Sequence, residues 1–269
     1  VGTIGFIGSG NMAEALIKGI LAAGVYAPRD VFISDIRKDR LDELVGRYGV
    51  VQMDANARIA QRSETIVLSV KPQTMANALD SIKSVVVGDK LVISIAAGVK
   101  VARISAVLGD VAIIRVMPNT PALIGQGISA LYANDRARPQ LGQALSIFSA
   151  VGKAVVVDDE DLIDAVTAVS GSGPAYFFLL METMMQAGAA LGLPADIAKD
   201  LVLQTAKGAS LLAVEADKNN EGPAMLRHKV TSPGGTTEAA LRVFAEAGFE
   251  SLVGRALTAA RDRSRELSG

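Results

Sequence analysis

The stretch Phe6-Ile7-Gly8-Ser9-Gly10-Asn11-Met12-Ala13 sets two glycines two residues apart and a small alanine three further on, after a β-branched run and before apolar residues at helical spacing. That pattern suits a phosphate. Gly8 permits a tight turn, Gly10 lets the backbone approach a pyrophosphate, and Ala13 lets helix and strand lie close, while free N–H groups at the helix start favour an anion. A tight structural turn uses the same residues, but the position at the first strand of a βα series favours a dinucleotide. The second strand ends Ile33-Ser34-Asp35, where an acid accepts hydrogen bonds from an adenosine ribose. Arg37, Lys38 and Arg40 follow at once and suit a ribose phosphate, which leaves NADH and NADPH equally open. A solvated helix start of mixed charge is the plainer account of that cluster.

Other strand ends carry further candidates. Ser69-Val70-Lys71-Pro72 and Ile95-Ala96-Ala97-Gly98 each close a β-branched run, and ligands of open α/β sheets collect beyond such ends. Small residues at the second let a flat nicotinamide ribose approach, and Pro72 turns the chain outward. Lys71 either lines that site or is a surface lysine. In Met117-Pro118-Asn119-Thr120-Pro121 two prolines hold a rigid loop from which Asn119 and Thr120 can enter a cleft, or which is simply a stiff connector. Val169-Ser170-Gly171-Ser172-Gly173-Pro174-Ala175 is a break between helical stretches, read either as a junction or as a ligand site. Val230-Thr231-Ser232-Pro233-Gly234-Gly235-Thr236-Thr237-Glu238 is the most informative. Its adjacent glycines and the helix start beyond them offer N–H groups to a carboxylate, with hydroxyls from Ser232, Thr236 and Thr237, although the same residues make an ordinary capped helix start.

Composition narrows the chemistry. The chain has no cysteine and one histidine, which excludes disulfide scaffolds, thiolate nucleophiles and cysteine-ligated zinc, and disfavours Ser-His-Asp chemistry. That histidine, His228, lies between Arg227 and Lys229 and reads as solvated. Asp158, Asp159, Glu160 and Asp161 resemble a metal cluster but open a helix, where acids are favourable, so no metal is expected. With 27 basic residues against 28 acidic ones, no Trp and four Tyr, nucleic acid is not an expected partner. Residues 1–10 read as a strand and a turn rather than a signal peptide, and the expectation is a cytoplasmic protein. Pro174 to Leu193 is long and apolar enough to span a bilayer, yet Glu182 and Gln186 near its middle favour a helix buried in the protein or at a subunit contact.

These groups need a scaffold. Strands are expected at Thr3–Ile7, Val31–Asp35, Thr65–Ser69, Leu91–Ile95, Ala112–Val116, Ser129–Ala133 and Ala154–Val157, separated mostly by amphipathic stretches such as Met12–Ala23. This is the pattern of parallel strands joined by crossover helices. Beyond Asp158 the pattern turns helical, with candidates at Asp161–Val169, Ala175–Leu191, Ala195–Val214, Gly235–Ala247 and Glu250–Leu267. The expected fold is α/β, with a Rossmann-like doubly wound domain over residues 1–152 and an all-α domain over 153–269.

Together these motifs resemble the pyrroline-5-carboxylate reductase family: the Gly-x-Gly-x-x-Ala opening, Val70-Lys71-Pro72, Ala96-Ala97-Gly98, Pro118-Asn119-Thr120-Pro121, the run from Asp161 to Tyr176, and Ser232-Pro233-Gly234-Gly235-Thr236-Thr237. The resemblance covers essentially the whole chain. It implies NAD(P)H-dependent reduction of a cyclic imine, 1-pyrroline-5-carboxylate, to proline. It implies that Ile7, Gly8, Ser9, Gly10, Asn11, Met12, Ser34, Asp35, Asn56, Val70, Lys71, Pro72, Ala96, Ala97 and Gly98 bind the dinucleotide. It further implies that Ser232 to Thr237 bind the substrate, with Thr237 orienting the imine nitrogen and N–H groups around Gly235 and Thr236 holding its carboxylate. The carboxyl-terminal helices are then a dimerisation domain forming an interlocked homodimer, which assembles into rings of dimers in some members. The chain departs from some relatives at Asn220, which is acidic there, so a polar role at that position is in doubt. A β-hydroxyacid dehydrogenase joins similar domains and needs a lysine base, for which Lys199 or Lys207 stand available. A nucleotide-sensing protein without catalysis is the other alternative.

Overall fold

The computed structural model describes residues 2–268 with the exception of Asp89. Its strands, among the described residues, are β1 (Ile4–Ile7), β2 (Val31–Ser34), β3 (Val51–Gln52), β4 (Thr65–Leu68), β5 (Leu91–Ser94), β6 (Ala112–Met117), β7 (Gly127–Ala133) and β8 (Gly152–Val156). They form one sheet in the order β3-β2-β1-β4-β5-β6-β7-β8. Every residue of β1, β2, β4 and β5 is buried, as expected of strands covered on both faces. Alternation decides which face each residue serves. Ile4, Phe6, Val67, Leu91, Ile93 and Ile114 enter one hydrophobic cluster, while Ile7, Ile66, Leu68, Val92 and Ile113 enter the other.

From β3 to β6 all neighbours are parallel, whereas β7 pairs antiparallel with β6 and β8 returns parallel to β7. The reversal has a simple cause. Residues 118–126 are too few for a crossover, which takes about a dozen or more, so β7 must run back along β6. The order reverses between β1 and β4, which opens a crevice above their carboxyl ends. Helix α1 (Asn11–Ala22) starts at that crevice, followed by α2 (Lys38–Tyr48), α3 (Asn56–Arg62), α4 (Met75–Asp80), α5 (Val101–Leu108) and α6 (Leu141–Ser149) around the sheet.

The helical part begins with α7 (Leu162–Val166), which passes through one π-helical turn, Thr167–Gly171, towards α8 (Gly173–Ala190). The Ser-Gly break is thus a widened helical turn, closed by the Ser172 N–H on the Thr167 carbonyl at 2.8 Å. After it come α9 (Ala195–Asp217), α10 (Pro223–Lys229), α11 (Thr236–Glu246) and α12 (Phe249–Ser268). The apolar helix α8 is not buried inside its own chain: Phe177 is 61% exposed, Phe178 61% and Leu179 63%. By length and composition Leu162–Ala190 is able to cross a membrane.

Two compact units result, one of Val1–Pro174 with Ala259–Gly269 and one of Ala175–Thr258. The boundary expected near residue 152 falls at the first residue of β8, and the pattern turns helical only beyond Asp158. Helix α12 starts in the second unit and finishes in the first.

Candidate active site and dinucleotide cleft

Parallel register lines up the ends of the central strands, since Ile7 stands opposite both Ser34 and Leu68, and Leu68 stands opposite Ser94. The loops that leave those ends therefore share one edge. At Gly8 the chain takes a φ of +89°, and a Cβ there would stand 2.9 Å from the Ser69 carbonyl oxygen, so only glycine fits. The Gly8 N–H donates to Ser34 O at 2.9 Å, which ties the turn to β2. Gly10, the residue before α1, has open space where its Cβ would be. This is a cradle for a phosphate at a helix start of twelve residues, and it fits a dinucleotide.

Asp35 braces the same turn. Its Oδ2 accepts the Ser9 N–H at 2.8 Å, and its Oδ1 accepts the Arg37 N–H at 2.9 Å and the Arg37 Nε at 3.2 Å. Burial opposes the charge on Asp35, but the N–H groups of Arg37 and Ser9 and the Arg37 guanidinium outweigh it and hold the carboxyl below its ordinary value. Ser34 donates to Asn56 Oδ1 at 2.8 Å, and Asn56 Nδ2 donates to Ser81 at 3.0 Å. Asn56 thus stands at the start of α3 with its amide fixed.

A cavity of about 1050 Å³ runs along these loops. Of the residues expected at the cofactor, Ile7, Gly8, Ser9, Gly10, Asn11, Ser34, Asp35, Arg37, Asn56, Val70 and Lys71 line it. Met12, Pro72, Ala96, Ala97 and Gly98 do not, although β5, which delivers the last three, is the neighbour of β4. Ile36, Met53, Asp54, Ala55, Thr74, Asn77 and Ala78 also line it and went unread in the sequence. Ile36 alone carried a signal: it is an apolar residue beside Asp35 with no place in the helical pattern, and its side chain is fully exposed.

The basic cluster after Asp35 is not a phosphate clamp as a whole. Arg40 is buried and turned away: its Nε donates to Ser9 O at 2.9 Å, and its guanidinium pairs with Glu14 and Glu43 at 2.5 and 2.6 Å. Lys38 pairs with Asp42 at 3.1 Å, one helical turn on. Only Arg37 faces the cavity, and it lies on Asp35.

Asn119 is committed at both ends of its amide. Its Oδ1 accepts the Ile128 N–H at 3.0 Å, and its Nδ2 lies 3.3 Å from Ser170 Oγ in the π turn. In the acidic run, Glu160 accepts from the Val101 N–H at 2.8 Å and pairs with Arg115 at 3.1 Å, while Asp161 pairs with Lys100 at 3.0 Å. These carboxylates anchor the α7 start to the sheet.

In the second unit, α11 starts after Gly235, and no side chain caps it. The Gly235 N–H donates to Ser232 O at 3.0 Å and the Gly234 N–H to Glu238 Oε2 at 2.7 Å. Gly235 therefore has no N–H to spare for a ligand, contrary to expectation, and the open donors are those of the first α11 turn, at Thr236 and Thr237. Thr237 is half-buried while Ser232 and Thr236 are exposed. His228 is exposed in the last turn of α10, and Lys199 and Lys207 are exposed on α9.

Residues 160–267 match the family model for pyrroline-5-carboxylate reductase dimerisation, and residues 3–98 match the model described as NADP oxidoreductase, coenzyme F420-dependent. A pyrroline-5-carboxylate reductase of Pseudomonas aeruginosa is 47% identical over 98% of this chain and 96% of its own. The chain belongs to the pyrroline-5-carboxylate reductase family. A solved pyrroline-5-carboxylate reductase from Coxiella burnetii superposes with a TM-score of 0.93 at 39% identity, covering 100% of this chain and 99% of that one. The Plasmodium falciparum enzyme, solved with NADP bound, superposes with a TM-score of 0.88 at 30% identity, covering 100% and 98%.

In this pyrroline-5-carboxylate reductase fold the end of α12 is fastened to the sheet. Ser264 donates to Asp164 at 2.7 Å, and Asp164 lies 3.5 Å from the Arg115 guanidinium, all three being buried. Gly98, at φ +68°, lies under the last turn of α12, where a Cβ would stand 2.9 Å from Leu267 Cβ. Asn220 has a φ of +60°, alone among the described non-glycine residues. Its role is to end α9, since asparagine tolerates that conformation.

Proposed function

We infer that this chain reduces the C=N bond of 1-pyrroline-5-carboxylate to L-proline with NADPH or NADH as donor, the last step of proline biosynthesis. The observation that carries this is the identity through both units, 47% across 98% of the chain, to an enzyme of that name. A bound reduced nicotinamide supplies the hydride.

The protein supplies position. The N–H groups of Gly10 and Asn11 hold the pyrophosphate at the α1 start, with Ser9 tied to Asp35 and Ile7, Gly8 and Met12 shaping the turn. Ser34, Asp35, Arg37 and Asn56 hold the adenosine ribose, while Val70, Lys71 and Pro72 on one side and Ala96, Ala97 and Gly98 on the other flank the nicotinamide end. Ser232, Gly234, Gly235, Thr236 and Thr237 form the substrate loop. The substrate carboxylate sits on the Thr236 and Thr237 N–H groups, and the Thr237 hydroxyl orients the ring nitrogen, which arrives protonated from water. Asn119 contributes on the substrate side by fixing the loop after β6 against the π turn.

The chain works as a homodimer or a ring of dimers in the cytoplasm, with the nucleotide domain of one protomer and helices of its partner at each active site. Support comes from α8, whose apolar side chains find no cover in their own chain, within a segment matching a dimerisation model. The exposed Lys199 and Lys207 give no support to a hydroxyacid dehydrogenase.

Nicotinamide oxidation by the purified chain is expected with pyrroline-5-carboxylate and absent with β-hydroxyacids; the reverse result overturns the assignment. Thr237→Ala is expected to lower kcat/KM by about 10- to 100-fold, the worth of a hydrogen bond to a charged group. Unchanged kcat and KM would remove Thr237 from the site.

A further inference from the structure

We propose that Arg40 is a positioning residue for the nucleotide phosphates, acting from behind the glycine turn through the Ser9–Gly10 peptide, an inference that rests on the dinucleotide reading of the cleft. A peptide unit is planar and trans, so its C=O and N–H point in opposite directions, and whatever grips one aims the other. Arg40 Nε donates to Ser9 O at 2.9 Å. The N–H of the same unit belongs to Gly10, which lines the cavity, whereas Arg40 does not. Among the described residues no group accepts that N–H, so it is left for a phosphate oxygen.

The neighbouring peptide units are held without Arg40. Ahead of Ser9–Gly10, Ser69 Oγ donates to Gly8 O at 2.6 Å and the Ser9 N–H donates to Asp35 at 2.8 Å. After it, the Glu14 N–H donates to Gly10 O at 3.0 Å, as the first helical bond of α1. The Ser9–Gly10 unit has glycine on its N–H side, where φ is least restricted, so this unit turns over cheaply unless its oxygen is gripped. Arg40 is built to grip it. Its side chain is 10% exposed, with Nη2 fixed on Glu14 at 2.5 Å and Nη1 on Glu43 at 2.6 Å. Glu14 is fixed in turn by the Tyr48 hydroxyl at 2.9 Å and by Arg47. With the planar guanidinium anchored on two carboxylates, its Nε–H is left a single direction, towards Ser9 O.

The same ion pairs tie α1 to α2, and variants can separate that tie from the aim of the turn. Arg40→Met alone would strand the nearly buried Glu14, so the comparison is between Glu14→Gln and Glu14→Gln/Arg40→Met. Both lose the ion pair between the helices, and only the second loses the hold on Ser9. Thermal melting of the intact protein reads the tie; titration calorimetry with ADP-ribose reads the turn. Glu14→Gln is expected to bind ADP-ribose within about twofold of the unaltered protein, and the double variant about tenfold or more weakly, the worth of one hydrogen bond to a charged group. In steady state the double variant should raise KM for the reduced nucleotide by the same factor and keep kcat at saturating nucleotide within about twofold, because a phosphate is held alike before and during hydride transfer. Equal ADP-ribose affinity in the two variants overturns the role of Arg40, as does a loss confined to kcat. If the unaltered protein does not bind ADP-ribose, the dinucleotide reading itself falls, and the proposal with it.

Discussion

Strand β4 buries all four of its residues, whereas α8, also apolar, buries only Gly173 of its eighteen. The two segments read alike in composition and differ in who covers them. The strand alternates its side chains between two clusters built by its own chain. The helix is apolar all round, a character that belongs to a helix surrounded on every side, and its own chain does not surround it. Hydrophobicity therefore announces burial without saying whether the partner is the same molecule.

The difference can be broken most sharply at Phe178. Phe178→Asp is expected to weaken self-association by a factor of about 100 or more, since a fully buried aromatic is worth about 3 kcal/mol and the charge adds to that. Light scattering across a dilution series measures it, and an unchanged mass would return α8 to another role. Next in size, Ile114→Ala in the sheet core is expected to cost about 2–5 kcal/mol, because Ile114 is fully buried in a packed cluster. Its melting temperature should fall by the same amount at every protein concentration, whereas the Phe178→Asp loss should depend on concentration.

The smallest effect is acidic. At Glu14, as at Asp35, burial opposes the charge, but Arg40, Tyr48 and Arg47 outweigh it and lower the carboxyl from its ordinary 4.5. Asp35 is likewise lowered from 3.8. Carboxyls lowered by folding stabilise above their unfolded values and lose that contribution as pH falls through the folded ones. Melting temperature should therefore drop progressively below about pH 4.5, and less steeply in Asp35→Asn. Equal slopes would show that Asp35 carries none of it.

Much of this was legible in advance because parallel strands carry their apolar residues continuously and end at glycine or proline. The loops at Gly8, Asp35 and Val70 leave the ends of β1, β2 and β4, where those rules put them. What escaped depends on distance in space rather than in sequence. Val51–Gln52 is too short a strand to show a period, and α10 is seven residues between a Gly-Pro and a Thr-Ser-Pro. Arg40 looked equivalent to Arg37 because the sequence does not show that Glu14, on another helix, claims it. Met53 and Asn77 enter the cavity from loops and helices that carry no motif. The antiparallel β7 went unread as well, because the expected strands left residues 117–128 between them, about the length a crossover needs.

Leu267 rests on Gly98, and Ser264 is held by Asp164. The closing turn of the final helix is thus the floor beneath a loop laid down early in the chain. Substitutions at Ser264 or Leu267 are not neutral: they act on the seat of that loop, and a protein altered there should be judged by its nucleotide affinity before its stability.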